Sequence, residues 1–117
     1  GFLYIVDRIK DIIIRGGENI SCLEVEAVIY AHPGVNEAVV FGLPDDRLGE
    51  IVGAAVVMRE GIEMNAETLR DYLTERLAGF KIPAHIWFRT EQLPRIASGK
   101  IFKRQIKADY TAELVAS

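Results

Sequence analysis

Hydrophobic and polar positions alternate along this chain in short blocks that change period several times, and each change is marked by turn chemistry. Apolar residues run from Phe2 to Val6, a charged stretch Asp7-Arg8-Ile9-Lys10-Asp11 follows, and Ile12-Ile13-Ile14 resumes the apolar pattern. Arg15-Gly16-Gly17-Glu18-Asn19 comes next, where paired glycines ahead of a polar pair predict a tight β-hairpin. Ser21-Cys22-Leu23-Glu24 has the spacing of a capping box, and Leu23, Val25, Val28 and Ile29 continue at helical period until Pro33-Gly34, which predicts a helix over about 23–31. Val35 to Phe41 and Ile51 to Met58 are rich in β-branched residues and predict neighbouring central strands. Between them the Gly42–Glu50 stretch, with Pro44 and adjacent Asp45 and Asp46, reads as a loop. Asn65 predicts the cap of a second helix that carries Leu69, Tyr72, Leu73 and Leu77 on one face and ends near Gly79. Ile86-Trp87-Phe88 reads as a further short strand, and 101–114 as a last helix with Ile101, Ile106, Tyr110 and Leu114 turned inward. The order hairpin, α, β, β, α, β, α predicts a small α+β domain: an N-terminal β-hairpin and a roughly three-stranded sheet flanked by helices.

Composition narrows the class. At 117 residues and 50% hydrophobic content there is material for one core, so residues 1–117 are read as a single domain. The lone cysteine, Cys22, has no internal disulfide partner, and no apolar run approaches the roughly 20 residues that span a bilayer, so no membrane span and a cytoplasmic location are expected. Because the chain opens inside what reads as a strand, with no initiator Met, it is expected to be a piece of a longer polypeptide.

Charge is distributed unevenly. Residues 81–107 hold seven Lys or Arg (Lys81, Arg89, Arg95, Lys100, Lys103, Arg104, Lys107) against Glu91 alone, a local +6 within a chain whose net charge is −3. An acidic chain with one basic face suits a discrete anionic ligand better than general coating of nucleic acid, which usually calls for a basic domain. Within that face Pro94-Arg95-Ile96-Ala97-Ser98-Gly99-Lys100 sets a cation on a loop of small residues, an arrangement that can present an ammonium to a phosphate. Taken alone, Lys100 also reads as a solvated surface lysine. Other chemistry-bearing residues have simpler readings: Asp45, Asp46 and Glu50 as acids that cap backbone amides rather than metal ligands, His32 as a partner for carbonyls at a helix end, and Cys22 as a small core residue. No metal site is expected.

With Asp7-Arg8-Ile9-Lys10-Asp11 leading into Gly16-Gly17-Glu18-Asn19-Ile20, Gly42-Leu43-Pro44-Asp45 followed by Gly49-Glu50, and Pro94 followed by Ser98-Gly99-Lys100, the chain resembles the C-terminal domain of the adenylate-forming superfamily. Its members include acyl-CoA synthetases, luciferases and peptide-synthetase adenylation domains, and Gly-Gly-Glu-Asn-Ile is most similar to the fatty-acyl and related acyl-CoA ligases. The resemblance implies a two-step, AMP-forming acid–thiol ligation. A carboxylic acid attacks ATP to give an acyl-adenylate and pyrophosphate, and the thiol of CoA then displaces AMP. It further implies that a large N-terminal domain holds the acyl pocket, most of the ATP site and the Mg2+ that travels with ATP. The present residues would be a lid that rotates between the half-reactions and is inactive alone.

Residue by residue, the resemblance makes Lys100 the catalytic and nucleotide-facing cation, Lys10 the hinge, Arg8 a nucleotide-binding arginine, and Gly16, Gly17 and Lys81 CoA-binding positions. Ile82 and Ala84 are apolar where certain relatives are basic, which leaves Lys81 as the cation of that segment. Ser21-Cys22 stands where close relatives carry Tyr-Pro, and Ile14 replaces a lysine of luciferase-like and plant phenolic-acid ligases. Two alternatives stand beside the CoA ligase: an adenylation domain that loads a carrier-protein thiol, and a freestanding module whose basic 95–107 segment binds an anion or nucleic acid.

Overall fold

The paired glycines do close a hairpin. In the computed structural model, which describes residues 11–116, β1 (Ile12–Arg15) and β2 (Glu18–Ser21) pair antiparallel around Gly16 and Gly17, both at positive φ. The Phe2–Val6 run lies outside the described residues. Ser21 then caps α1 (Cys22–Tyr30), its Oγ accepting the Glu24 N–H at 3.3 Å as the capping-box spacing requires.

β3 (Val35–Asp45) and β4 (Gly49–Met58) are longer than their apolar runs, because the strands continue through Gly42, Pro44 and Glu50. Only Asp46-Arg47-Leu48 remains as connection, in place of the expected nine-residue loop, and Asp45 Oδ2 closes it by accepting the N–H groups of Arg47 and Leu48 at 3.1 and 2.8 Å. Pro44 is tolerated in β3 because that strand lies at the edge of the sheet rather than at its centre. The central strand is β4, which pairs antiparallel with β3 on one side. On its other side it meets β1 through Arg15 opposite Gly49, then runs parallel to β5 (His85–Arg89). The hairpin and the three later strands thus form one five-stranded sheet among the described residues.

Both faces of β3 and β4 are buried, which is why their sequences run nearly unbroken in apolar residues rather than alternating. Ala38, Val40, Val52, Ala54 and Val56 pack under α1 and α2 (Ala66–Thr74) through Val25, Ile29, Leu69 and Leu73. Val39, Phe41, Leu43, Ala55 and Val57 pack on the opposite face under Leu93 and Ile106, the latter from α3 (Lys103–Ala116). Asn65 caps α2, its Oδ1 accepting the Thr68 N–H at 2.8 Å. That helix stops five residues short of Gly79: the N–H groups of Arg76 and Leu77 both turn onto the Leu73 carbonyl, and Arg76 Nη1 takes the Tyr72 carbonyl while its guanidinium lies 3.7 Å over the Tyr72 ring. Leu77 is buried all the same.

The last helix begins at Lys103, not Ile101. Phe102 donates to the Pro94 carbonyl at 2.7 Å and Ile101 bridges to Arg95, so Ile101 is extended and belongs to a miniature hairpin that displays Lys100.

Candidate functional site: a lysine on a braced loop

The miniature hairpin follows from its sequence. Ile96 N donates to the Lys100 carbonyl and Gly99 N to the Ile96 carbonyl, both at 2.9 Å, so residues 97–99 form a three-residue turn. Its last position requires a positive φ, and Gly99 supplies +89° without strain. Ala97, Ser98, Gly99 and Lys100 are all exposed. The Lys100 backbone is therefore fixed by the turn while its side chain extends from the tip, and the ammonium makes no ion pair among the described residues.

Most of the basic face of the sequence does not survive folding. Lys81 Nζ sits 2.9 and 3.0 Å from the two carboxylate oxygens of Glu24, Arg95 pairs with Glu37, Lys103 with Asp11 and Glu26, and Lys107 lies 4.0 Å from Glu50. Arg89 donates to the Tyr110 hydroxyl. Arg89, Lys100 and Arg104 are left without a carboxylate among the described residues. Of the seven cations that the linear pattern spreads over 27 residues, four meet carboxylates, while Lys100 stands exposed at the tip of its loop. Such a surface suits one anionic group, whereas nucleic acid needs a row of free cations.

Arg8 and Lys10 lie outside the described residues, but the residue after Lys10 does not. Asp11 Oδ1 accepts from Lys103 Nζ at 2.6 Å, and Asp11 O accepts the Cys22 N–H at 3.0 Å. The chain that leaves the candidate hinge is thus tied at once to α1 and to the start of α3, three residues beyond Lys100. Lys103 also approaches Glu26, at 3.5 Å, and Glu26 Oε2 in turn accepts the Val40 N–H at 2.8 Å. Burial alone would lower the Lys103 ammonium, but the charges of Cys22, Glu26 and Asp11 around it leave it raised. The Glu26 carboxyl is pushed up by burial against the opposing pull of Lys103 and the Val40 N–H.

Burial also pushes the Cys22 thiol up to about 11, with Lys103 opposing. A rise of about two units leaves roughly 100-fold less thiolate near neutral pH. Cys22 should therefore alkylate with iodoacetamide at least that much more slowly in the folded chain than in urea. Because the folded thiol holds its proton longer than the unfolded one, its contribution to stability is complete at neutral pH and is lost as the pH rises toward 11. Equal alkylation rates in both states would rule out this environment.

In the β1–β2 turn, Gly16 donates to the Leu48 carbonyl at 2.8 Å, and a side-chain carbon at Gly17 would meet nothing within 4 Å. That side of the hairpin turn is open to a ligand lying along the backbone. Lys81 is less available, since a phosphate would have to displace Glu24 from its ammonium. His32 accepts rather than donates at Nδ1, from Gly34 N–H at 3.0 Å, and meets the Tyr72 ring edge-on, so it serves the turn after α1 instead of the helix carbonyls. Glu50 Oε1 accepts the Ile14 N–H at 2.9 Å, tying β1 to β4. A groove of about 1070 Å³ lies at the C-terminal ends of β4 and β5, lined by Met58, Arg59, Met64, Phe88 and others, and includes none of these candidate residues.

Sequence reasoning missed the bracing residues: Glu37, Arg95, Asp11, Glu26 and Lys103. The available signal was an acid, Glu37, inside an otherwise apolar strand, since a carboxylate is seldom fully buried unless paired.

Among the described residues, then, a small α+β domain carries Lys100 at the exposed tip of a hydrogen-bonded loop. The profile of the family described as AMP-binding enzyme C-terminal domain matches residues 24–100, and the chain belongs to that family. It is 46% identical over 106 residues to an oxalate–CoA ligase of Saccharomyces cerevisiae, covering 91% of this chain and 19% of that protein. With the long-chain-fatty-acid–CoA ligase FadD13 of Mycobacterium tuberculosis the identity is 45% over 112 residues, covering 96% of this chain and 22% of the ligase. Among solved structures, a Mycobacterium tuberculosis fatty acyl CoA synthetase superposes with a TM-score of 0.82 at 42% identity, covering 91% of this chain and 21% of that one. The o-succinylbenzoate CoA synthetase of Bacillus subtilis, solved with an acyl-adenylate intermediate, superposes with a TM-score of 0.77 at 44% identity, covering 84% and 20%. The chain spans about a fifth of the length of these relatives.

Proposed function

We propose that residues 1–117 are the C-terminal lid domain of an ATP-dependent, AMP-forming acyl-CoA synthetase, whose large N-terminal domain contributes the acyl pocket and most of the ATP site. The observation that carries this reading is Lys100: an ammonium without an ion pair among the described residues, at the tip of a backbone-locked loop, in a domain of the AMP-binding enzyme family.

As a carboxylate attacks the α-phosphorus, negative charge accumulates on the oxygens of two anions forced together. A cation brought to them by the lid, and absent from the resting pocket, acts on the transition state rather than on substrate binding. Rotation about Lys10 would then withdraw Lys100 and bring forward the Gly16-Gly17 turn, whose open backbone can lie along the thin arm of CoA. Arg8, next to the hinge, would reach the nucleotide with its fork of donors, and Lys81 the CoA phosphates by exchange with Glu24. The Mg2+ that accompanies ATP is assigned in the same reading to the large domain. On its own the domain is inert. No helix among the described residues is long and apolar enough to cross a membrane, and a cytoplasmic site of action is part of the same proposal.

The full-length polypeptide should release pyrophosphate from ATP in the presence of a suitable carboxylic acid, screened across short, aryl and fatty acids, and should form thioester and AMP when CoA is added. Pyrophosphate release with a product that passes only to a carrier protein, never to CoA, would move the reading to the carrier-loading alternative. No acid-dependent pyrophosphate release at all would refute it.

A further inference from the structure

The loop that displays Lys100 has almost nothing beneath it. Ile96 is 43% exposed and residues 97–100 are exposed, so packing does not decide where the tip points. Arg95, itself in the miniature hairpin, links the tip to the sheet. Arg95 Nη1 donates to the Gly99 carbonyl at 3.0 Å, next to Lys100, while its Nη2 donates at 2.5 Å to Glu37 Oε2 on β3. Glu37 is only 5% exposed, set in the same face of the sheet as Val39 and Phe41, and its second oxygen, Oε1, is buried with no hydrogen-bond partner among the described residues.

A carboxylate so buried and only half satisfied is an expensive element. Apolar residues of similar size would serve packing as well or better, so its presence calls for something that packing does not supply. What Glu37 does supply is direction. It fixes one arm of a planar guanidinium, and the rigid fork then aims the other arm at the Gly99 carbonyl. A lysine at position 95 could satisfy Glu37 or Gly99 but has no second fixed arm for the other.

We propose that Glu37 and Arg95 are positioning residues for Lys100: a strut from β3 through the guanidinium to Gly99 that holds the tip at one orientation relative to the sheet. This rests on the functional reading above and goes beyond it, since neither residue touches substrate. A displacement of about 1 Å at a reacting group can cost ~10²-fold in rate, so a loop released from its strut should lose chemistry and keep substrate affinity.

The test is a double-mutant cycle in the full-length polypeptide, with acyl-adenylate formation and thioester formation from preformed adenylate measured separately. Arg95→Ala is expected to lower kcat for adenylate formation by about 10–100-fold, leave the KM for ATP unchanged, spare the thioester step, and add little further loss in a Lys100→Ala background. Arg95→Lys and Glu37→Gln, which keep the volume and so keep the fold if Arg95→Ala does not, should show smaller losses with the same dependence on Lys100. An equal loss from Arg95→Lys or Glu37→Gln in both backgrounds would mean general damage and overturn the strut. So would full activity of all three variants while Lys100→Ala is impaired, with the functional reading left standing. Full activity of Lys100→Ala itself would overturn the functional reading and the strut together.

Discussion

Lys100→Ala in the full-length polypeptide slows acyl-adenylate formation by ~10²–10³-fold, the effect typical of deleting one preorganised contact to charge that develops in a transition state. The loss should fall on kcat rather than on the KM for ATP, because the lysine is carried by a mobile lid and meets the reacting oxygens only as they become negative. Thioester formation from preformed adenylate should stay close to its original rate. Lys100→Arg should recover little despite keeping the charge, since a flat fork differs from a compact ammonium in reach and shape. Burst measurements of pyrophosphate and thioester release separate the two steps. A tenfold or larger loss in both steps would indicate a damaged domain, and unchanged adenylate formation would remove the lysine from the chemistry.

Phe41→Ala produces the largest loss of stability expected from one side chain on the α3 face of the sheet. Phe41 is 1% exposed and is among the largest fully buried side chains of the domain. Its ring stacks with Trp87 at 6.3 Å and with Tyr110 of α3 at 6.1 Å, and Gly53 opposite leaves the space it fills: a side-chain carbon there would come within 3.0 Å of the ring. Truncation removes apolar contact and leaves a cavity that the continuous cross-strand pairing of β3 with β4 keeps from collapsing. The expected cost is about 3–5 kcal/mol, a large part of the 5–15 kcal/mol that holds a typical domain together. Urea unfolding of the 117-residue chain can be followed through Trp87, its one tryptophan. A midpoint shift worth less than about 1 kcal/mol would mean that the face is loosely packed. Because α3 rests on this face through Ile106 and Tyr110, and follows directly on the Lys100 loop, the same substitution should also loosen the presentation of the lysine.

Local chemistry made much of this legible in advance. The Gly16-Gly17 hairpin, the Ser21 and Asn65 caps, the two strands of apolar residues and the exposed Ser98-Gly99-Lys100 tip depend on residues a few positions apart, and each was found where the pattern placed it. Features set by remote partners depart from the local pattern. Pro44 has the local signature of a loop, yet it sits in β3, where its tolerance depends on that strand lying at a sheet edge, a fact of topology. Ile101 was assigned to a helix because its period matched, yet its pairing with Arg95 draws it into an extended bridge.

The candidate site divides the same way. Lys100, Gly16 and Gly17 were legible from the motifs they share with a known superfamily. Which cations remain free was not, because the carboxylates that neutralise the others come from far along the chain: Glu24 lies 57 residues from Lys81, Glu37 58 from Arg95, and Asp11 92 from Lys103. Order along the chain determined turns, caps, strand periodicity and the identity of the displayed lysine, since those interactions close within a few bonds. Folding alone decided which cations of the +6 segment meet carboxylates and that Arg95 ties the Lys100 loop to the buried Glu37, because Coulomb pairing and burial act on distance in space, which one-dimensional spacing does not encode.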